Sequence, residues 1–143
     1  MGCATYDVTR KGDALRAAKA GDFDALPIFD ADMECASRAY IEALQLEKLK
    51  RQVRYTYERV PYYRQKMDEM GVKPTDIQTL ADVRLLPFTD KTALRETFPY
   101  GLFAVSLDEV REIHASSGTT GKPIVVGYTE ADMDVWSDCI ARL

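Results

Sequence analysis

Cysteine and histidine are scarce in this sequence, which contains three cysteines and one histidine among its 143 residues. Cys3, Cys35 and Cys139 are far apart and odd in number, so they fit neither a C-x-x-C motif nor a disulfide framework. A catalytic system built on histidine would have to use His114, and no partner spacing supports one. The sequence therefore predicts free thiols in the cytoplasm, no metal site and no histidine-dependent hydrolase.

Long apolar runs and an excess of positive charge are also absent. No apolar segment approaches the length of a signal-peptide core or a membrane span. The formal net charge is −4, whereas binding to a nucleic-acid backbone needs a clustered excess of lysine and arginine. We therefore expect neither a membrane nor a nucleic acid as partner, and we expect any anionic ligand to be held by local groups.

Helical patterns dominate the residues from Ser37 to Pro99. Apolar residues recur at spacings of three and four between Ile41 and Val60. This spacing predicts one long helix that is capped by Ser37 and stopped by Pro61, because proline removes a backbone donor. Further helices are predicted over Tyr62–Met70, with Gly71 as C-terminal cap, and over Leu80–Leu86 and Asp90–Phe98.

Short apolar or β-branched runs with glycine between them follow Pro99 and predict strands. The predicted strands are Leu102–Val105, Val110–Ala115 and Ile124–Tyr128. Thr129 and Asp132 then form a capping-box pattern that begins a last helix. A strand, a loop, a strand and a helix open an α/β layer, which needs further strands and helices to bury both of its faces. We therefore predict an α/β fold, α+β as a fragment, in a truncated chain.

Three regions follow from these patterns: an N-terminal arm over residues 1–36, a helical region over residues 37–100, and the truncated start of an α/β subdomain over residues 101–143. The apolar run Ile124–Val126 has too few later elements to cover it. An unpaired strand edge beside exposed apolar surface is a template for association with a second copy of the chain. Self-association into a homo-oligomer is therefore an expectation.

The most informative segment lies between the last two predicted strands. It consists of Ser116, Ser117, Gly118, Thr119, Thr120, Gly121, Lys122 and Pro123. Its glycines allow backbone amides to approach a ligand, its four hydroxyls add donors, and its lysine adds a mobile positive charge. Together these groups predict a site for a polyphosphate.

Two other interpretations of this loop are weaker. A Walker A loop needs glycine where Ser116 stands and serine or threonine where Pro123 stands. A simple hairpin turn rich in glycine and hydroxyl residues is the structural alternative. That alternative does not explain why all eight positions match the S-S-G-T-T-G-x-P phosphate loop of the adenylate-forming superfamily.

Other segments resemble one branch of that superfamily, the phenylacetate-CoA ligases. The run Val60–Arg64 is similar to the V-P-x-Y-R element of this branch. Similar runs are Leu86–Lys91, Leu94–Arg95, Pro99–Val105, Ile113–Ala115 and Val125–Thr129. The resemblance extends from about Ser37 to the last residue. It implies the helical N-terminal region and first strands of an adenylate-forming N-terminal domain.

The resemblance also implies an activity and roles for the loop. Enzymes of this branch activate an aryl-acid carboxylate with ATP and Mg²⁺ to an acyl-adenylate and then transfer the acyl group to coenzyme A. By this resemblance, the residues from Ser116 to Lys122 bind the nucleotide. Thr119, Thr120 and Lys122 contact the β- and γ-phosphates, and Thr120 and Lys122 are the catalytic residues.

The same resemblance places the remaining machinery of the family beyond these residues. The adenine-binding element, the ribose-binding aspartate and the C-terminal domain with its catalytic lysine lie further along in the family. Gly127–Glu130 superficially resembles the adenine element, but it follows the loop too closely and Thr129 fits a helix cap better. We therefore expect the isolated chain to be inactive, and the alternative is a non-catalytic binding or dimerisation module derived from the family. The pocket for the acid is not among these residues, so the sequence does not specify which acid is bound.

Overall fold

The computed structural model describes residues 30–117 and 123–141. The chain divides into two compact units, residues 1–41 and residues 42–143. Over the described residues, the α-helices are α1 (Ala31–Glu34), α2 (Arg38–Arg59), α3 (Pro61–Glu69), α4 (Lys91–Glu96) and α5 (Glu130–Ala141), and the strands are β1 (Glu112–Ala115) and β2 (Val125–Tyr128). Short 3-10 turns occupy Pro74–Asp76, Leu80–Leu85 and Leu107–Glu109. The predicted mixed architecture, helices first and strands later, is confirmed.

Helix α2 begins where its sequence pattern predicts. The hydroxyl of Ser37 accepts a hydrogen bond from the Tyr40 amide at 3.3 Å, which satisfies one of the free amides of the first turn. The helix then runs for 22 residues and ends one residue before Val60. Val53, in the middle of the predicted apolar stripe, is buried with 6% of its surface exposed. The periodicity therefore identified both the helix and its core-facing side.

The main core lies where α2 and α3 meet the two turns that follow them. Its buried members are Val53, Met67, Val72 and Ile77, and Ile77 is only 1% exposed. Partly buried side chains close the cluster from its sides, namely Leu49, Tyr57, Leu85 and Leu86. Burying such apolar side chains stabilises the fold by about 1.5–3 kcal/mol each relative to leaving them in water.

The V-P-x-Y-R element forms the corner between α2 and α3. Val60 has an extended backbone and is 2% exposed, while Pro61 occupies the first position of α3, where a missing N–H costs nothing. The Arg64 guanidinium reaches back to the end of α2 and donates to the carbonyls of Tyr57 at 3.0 Å and Glu58 at 2.5 Å. A cation there satisfies free carbonyls and complements the negative end of the helix dipole.

Helix α3 ends at a glycine, as predicted. Gly71 has a φ of +70°, which is readily available only to glycine. The amide of Gly71 donates to the carbonyl of Asp68 at 3.0 Å, and the amide of Val72 donates to that of Met67 at 2.9 Å. This pair of bonds is a Schellman motif, and it directs Val72 into the core.

An exposed polar cluster ties this end of α3 to α2. The Asp68 carboxylate accepts hydrogen bonds from the Lys73 ammonium and from the Tyr57 hydroxyl. The hydrogen bond from Lys73, followed by that from Tyr57, lowers the pKa of Asp68 below its ordinary value. The hydrogen bond with Asp68 correspondingly raises the pKa of Lys73. Both groups are therefore charged at neutral pH.

The next two predicted helices are shorter or tighter than expected. The predicted helix over Leu80–Leu86 is a 3-10 helix over Leu80–Leu85, capped by Asp82 and Thr79. The predicted helix over Asp90–Phe98 is reduced to α4. Its N-terminal cap is Asp90, whose carboxylate accepts hydrogen bonds from the amides of Thr92 and Ala93.

The predicted strand Leu102–Val105 is wrong. These residues are not in a strand. Leu102 and Phe103 belong to a turn in which the Phe103 amide donates to the Tyr100 carbonyl, and this turn follows one in which the Gly101 amide donates to the Thr97 carbonyl. The segment is apolar because its side chains are partly buried, as the half-buried Phe103 is, and not because it pairs in a sheet. Burial alone does not distinguish a strand from a packed turn.

Strands β1 and β2 pair antiparallel and frame the predicted phosphate loop. Their register places Ile113 opposite Gly127 and His114 opposite Val126. Both strands are shorter than the predicted ranges Val110–Ala115 and Ile124–Tyr128.

The predicted capping box of helix α5 is confirmed. The Thr129 amide donates to the Asp132 carboxylate at 2.8 Å, and the Asp132 amide donates to the Thr129 hydroxyl at 3.3 Å. Within the ranges that the structure describes, none of the helices is both long enough and apolar enough to cross a membrane.

Candidate phosphate-binding site

The predicted phosphate loop connects β1 to β2. Gly118, Thr119, Thr120, Gly121 and Lys122 lie outside the described residues, so their predicted roles in binding and catalysis stay predictions. The structure describes the two ends of the loop, which are Ser116 and Ser117 on one side and Pro123 on the other.

The two ends of the loop are joined by a pair of hydrogen bonds. The Ser116 amide donates to the Ile124 carbonyl at 3.0 Å, and the Ile124 amide donates to the Ser116 hydroxyl oxygen at 2.9 Å. Ser117 is exposed next to this pair. The structure thus brings Ser116 into the base of the loop through its side chain as well as its backbone.

One face of the two-stranded sheet carries an aromatic cluster that includes the single histidine. The His114 ring lies 5.0 Å from the ring of Tyr128 and 5.6 Å from that of Trp136 on α5, measured between centroids. Its Nε2 atom lies 3.1 Å from a carboxylate oxygen of Glu112. Such edge-to-face pairs add packing energy beyond area burial. His114 and Trp136 therefore join α5 to the strand that leads into the loop.

The opposite face of the sheet is covered by Phe103. A Cβ atom placed on Gly127 would lie 2.6 and 2.7 Å from two ring carbons of Phe103, and 3.3 Å from a methyl carbon of Val110. Glycine at this position therefore lets the aromatic ring lie directly on the backbone of β2. This contact was not predicted from the sequence, although a glycine inside an otherwise β-branched strand is the signal for such a close approach.

Replacing Gly127 by valine is expected to destabilise the sheet by roughly 1–3 kcal/mol, because the new side chain overlaps the Phe103 ring. Urea unfolding followed by circular dichroism measures this loss. The matched control is Val126→Thr in the neighbouring strand position, which is 41% exposed and should cost much less.

A double substitution separates this overlap from a general loss of strand structure. Phe103→Ala removes the ring, so Gly127→Val should cost measurably less in the Phe103→Ala background than in the parent. Simple additivity of the two losses would contradict the contact as the cause.

A groove runs between α2, the turns after Pro99 and β2. Its volume is about 820 Å³, and its walls include Tyr55 of α2 and Phe103, whose ring packs on the backbone of Gly127. The Tyr55 hydroxyl donates to the Ala104 carbonyl across it at 3.4 Å. Within residues 30–117 and 123–141, no group of three histidine, cysteine, aspartate or glutamate side chains is placed to hold a metal ion.

The described fold, helices followed by an antiparallel pair that frames a phosphate-loop sequence, is similar to part of solved coenzyme A ligases. No family model matches the chain. Its structure is similar to that of 2-hydroxyisobutyryl-CoA ligase in complex with 2-HIB-AMP and CoA, with a TM-score of 0.74 and 29% identity over 83% of this chain and 27% of that one.

By sequence, the chain is similar to phenylacetate-coenzyme A ligases. The chain is 51% identical over 115 residues to the phenylacetate-coenzyme A ligase of Thermus thermophilus, and 53% identical over 110 residues to that of Aromatoleum evansii. The Escherichia coli enzyme is 49% identical over 110 residues. These matches cover 77–80% of this chain and about a quarter of each relative. The chain is thus a relative of the phenylacetate-coenzyme A ligases, and it spans one quarter of their length.

Proposed function

We propose that this chain supplies the phosphate-binding part of an enzyme that joins an aryl carboxylic acid to coenzyme A at the expense of ATP. The observation that carries this proposal is the position of the loop sequence. The eight matched residues stand between two paired strands whose ends are joined by Ser116 and Ile124. Relatives at about 50% identity whose names state a phenylacetate-coenzyme A ligase support the choice of acid and acceptor.

In this proposal the loop stabilises the leaving pyrophosphate. Negative charge accumulates on the β- and γ-phosphates as the bond to the α-phosphate breaks. Hydroxyl donors from Thr119 and Thr120, backbone amides next to Gly118 and Gly121, and the Lys122 ammonium are the groups that would meet this charge. Thr120 and Lys122 are therefore the proposed catalytic residues, because their contacts strengthen as the charge develops.

The magnesium ion of the proposed reaction is best treated as part of the substrate. Mg²⁺ in nucleotide sites keeps several waters and is held largely by phosphate oxygens, with one or two protein carboxylates. Mg²⁺ would therefore arrive as its ATP complex, and the ion would neutralise phosphate charge there.

The remaining parts of the proposal concern the whole chain. We propose the arm over residues 1–36, the helical region over residues 37–100 and the α/β start over residues 101–143 as its organisation, and the cytoplasm as its location. An aryl acid such as phenylacetate, ATP and coenzyme A are the proposed partners. The adenylation and transfer steps require the three quarters of the relatives' length that this chain does not match.

Binding of inorganic pyrophosphate to the purified chain tests the proposed role of the loop. Isothermal titration at neutral pH should show saturable binding that Thr120→Val weakens, since the substitution removes a hydroxyl donor and keeps the branched shape. The matched control is Thr75→Val, in a turn far along the chain from the loop, which should bind like the parent. Equal binding by the Thr120→Val chain and the parent would contradict the proposed loop.

A second candidate function, a dimerisation module, is favoured by apolar surface on α5. Trp136 and Ile140 lie one helical turn apart and are 39% and 56% exposed. They line a shallow cavity of about 450 Å³ beside β1. Apolar surface of this kind is a site for a second copy or for further polypeptide.

Light scattering of the purified chain over a range of concentrations tests this second function. Ile140→Asp should shift a concentration-dependent dimer to the monomer, because the carboxylate cannot be buried without a partner. The control is Val83→Asp, an equally exposed apolar position on the turn over Leu80–Leu85. If the chain is monomeric at all concentrations tested, the proposed dimerisation function is contradicted.

A further inference from the structure

The hydrogen bonds at the base of the loop depart from the normal ladder in one respect. In an antiparallel pair, directly opposed residues alternate between pairs that exchange two backbone N–H···O bonds and pairs that exchange none. The paired strands end at Ala115 and Val125, so Ser116 and Ile124 are the next opposed residues. The Ser116 amide does donate to the Ile124 carbonyl, but the Ile124 amide donates to the Ser116 side-chain oxygen.

The exchange of a backbone acceptor for a hydroxyl has a structural consequence. Because Oγ accepts the return bond, the Ser116 backbone can turn away from the strand direction while the pair stays closed. On the other side, Pro123 has no N–H, so Ile124 is the first residue after Lys122 that offers a backbone amide to this closure. The described ends of the loop are therefore joined by the Ser116 side chain as well as by its backbone amide.

We propose that Ser116 is a positioning residue that closes the base of the phosphate loop, so that the amides and hydroxyls beyond it are held in place for a polyphosphate. This proposal rests on the proposed phosphate-binding function. It also changes the predicted role of Ser116, which was that of a direct nucleotide ligand. Holding both ends of a loop reduces the conformational freedom that phosphate binding would otherwise remove.

The bond from the Ile124 amide requires a side chain at position 116 that can accept a hydrogen bond. A serine or threonine side chain can accept the Ile124 amide, whereas alanine leaves that amide without its partner. Threonine should therefore replace Ser116 with little loss, and alanine should not. A direct phosphate ligand would show the same preference, so a second observable is needed to distinguish the two roles.

The test combines hydrogen exchange with pyrophosphate titration on the full 143-residue chain. Ser116→Ala should accelerate exchange of the Ile124 amide about three- to tenfold, the effect of losing one hydrogen bond, and weaken pyrophosphate binding by a similar factor. Ser116→Thr should restore both. The control is Ser137→Ala, an exposed serine on α5, which should leave both unchanged.

The two observables separate the competing roles. Weaker binding with unchanged Ile124 exchange would make Ser116 a ligand and overturn the proposal. Faster exchange with unchanged binding would make the closure a purely structural feature and would overturn it as well. If the parent chain binds no pyrophosphate at all, the phosphate-binding function itself fails, whereas the exchange rate of Ile124 still decides whether Ser116 closes the loop.

Discussion

Replacing Lys122 by alanine should slow formation of the acyl-adenylate about 10- to 150-fold in a hybrid ligase. The hybrid is the Thermus thermophilus relative in which the matched stretch of 115 residues is exchanged for the corresponding residues of this chain. The expected loss is that of one hydrogen bond to a charged group, about 1.5–3 kcal/mol, made as charge accumulates on the leaving pyrophosphate. Exchange of labelled pyrophosphate into ATP, in the presence of phenylacetate, measures the step.

A matched lysine outside the loop distinguishes this effect from a general loss of positive charge. Lys50 is half-buried on α2, where its ammonium donates a hydrogen bond to the Gln78 side chain, and Lys50→Ala should keep the parent rate. Lys122→Arg should recover part of the rate, since it restores the charge with a different geometry. If Lys122→Ala exchanged pyrophosphate as fast as the unsubstituted hybrid, Lys122 would have no role in adenylation.

The second large effect is expected for the 143-residue chain by itself, which should form no acyl-adenylate. It spans about a quarter of the curated relatives it matches, and the loop alone offers contacts to phosphates and none assigned to adenine, ribose or the carboxylate. Pyrophosphate exchange with phenylacetate, ATP and Mg²⁺ should therefore stay at the level of buffer. The full-length Thermus thermophilus relative serves as the positive control.

Measurable pyrophosphate exchange by the isolated chain would contradict this prediction. An exchange rate that depends on phenylacetate and scales with the concentration of the purified chain would show a complete adenylation site in these residues. A parallel sample carrying Lys122→Ala should then lose that rate, which would exclude a contaminating ligase as its source.

Local signals in the sequence predicted much of the fold. Ser37 caps α2, Gly71 ends α3 in a left-handed conformation, and Thr129 and Asp132 cap α5, because each of these devices uses only residues within a few positions of one another. The apolar spacing along α2 likewise identified Val53 as a core residue. Such features need no knowledge of the tertiary structure.

Features that depend on distant contacts were not predicted. The run Leu102–Val105 has the composition of a strand, but Phe103 packs against Gly127 from a turn, and that pairing is set by tertiary packing. In the same way, nothing in the loop sequence distinguishes Ser116, which bonds to Ile124, from Ser117 beside it. The sequence predicts that the loop is a site, whereas the bond between the Ser116 hydroxyl and the Ile124 amide became visible only in the structure.

The contacts of Arg64 give the V-P-x-Y-R element a structural role. The V-P-x-Y-R element was identified by resemblance alone. In the structure, its valine is buried, its proline begins α3, and its arginine donates to two carbonyls at the end of α2. The element is therefore explained as a corner between two helices, and it needs no role in ligand binding.

The most direct test of the central claim is the activity of the unsubstituted hybrid ligase. If this chain is equivalent to the phosphate-binding quarter of its relatives, the hybrid should convert phenylacetate, ATP and coenzyme A to phenylacetyl-CoA and AMP. The same ligase with the matched stretch deleted should not. A hybrid that folds with a native circular dichroism spectrum and binds phenylacetate, but forms no phenylacetyl-adenylate, would contradict the claim.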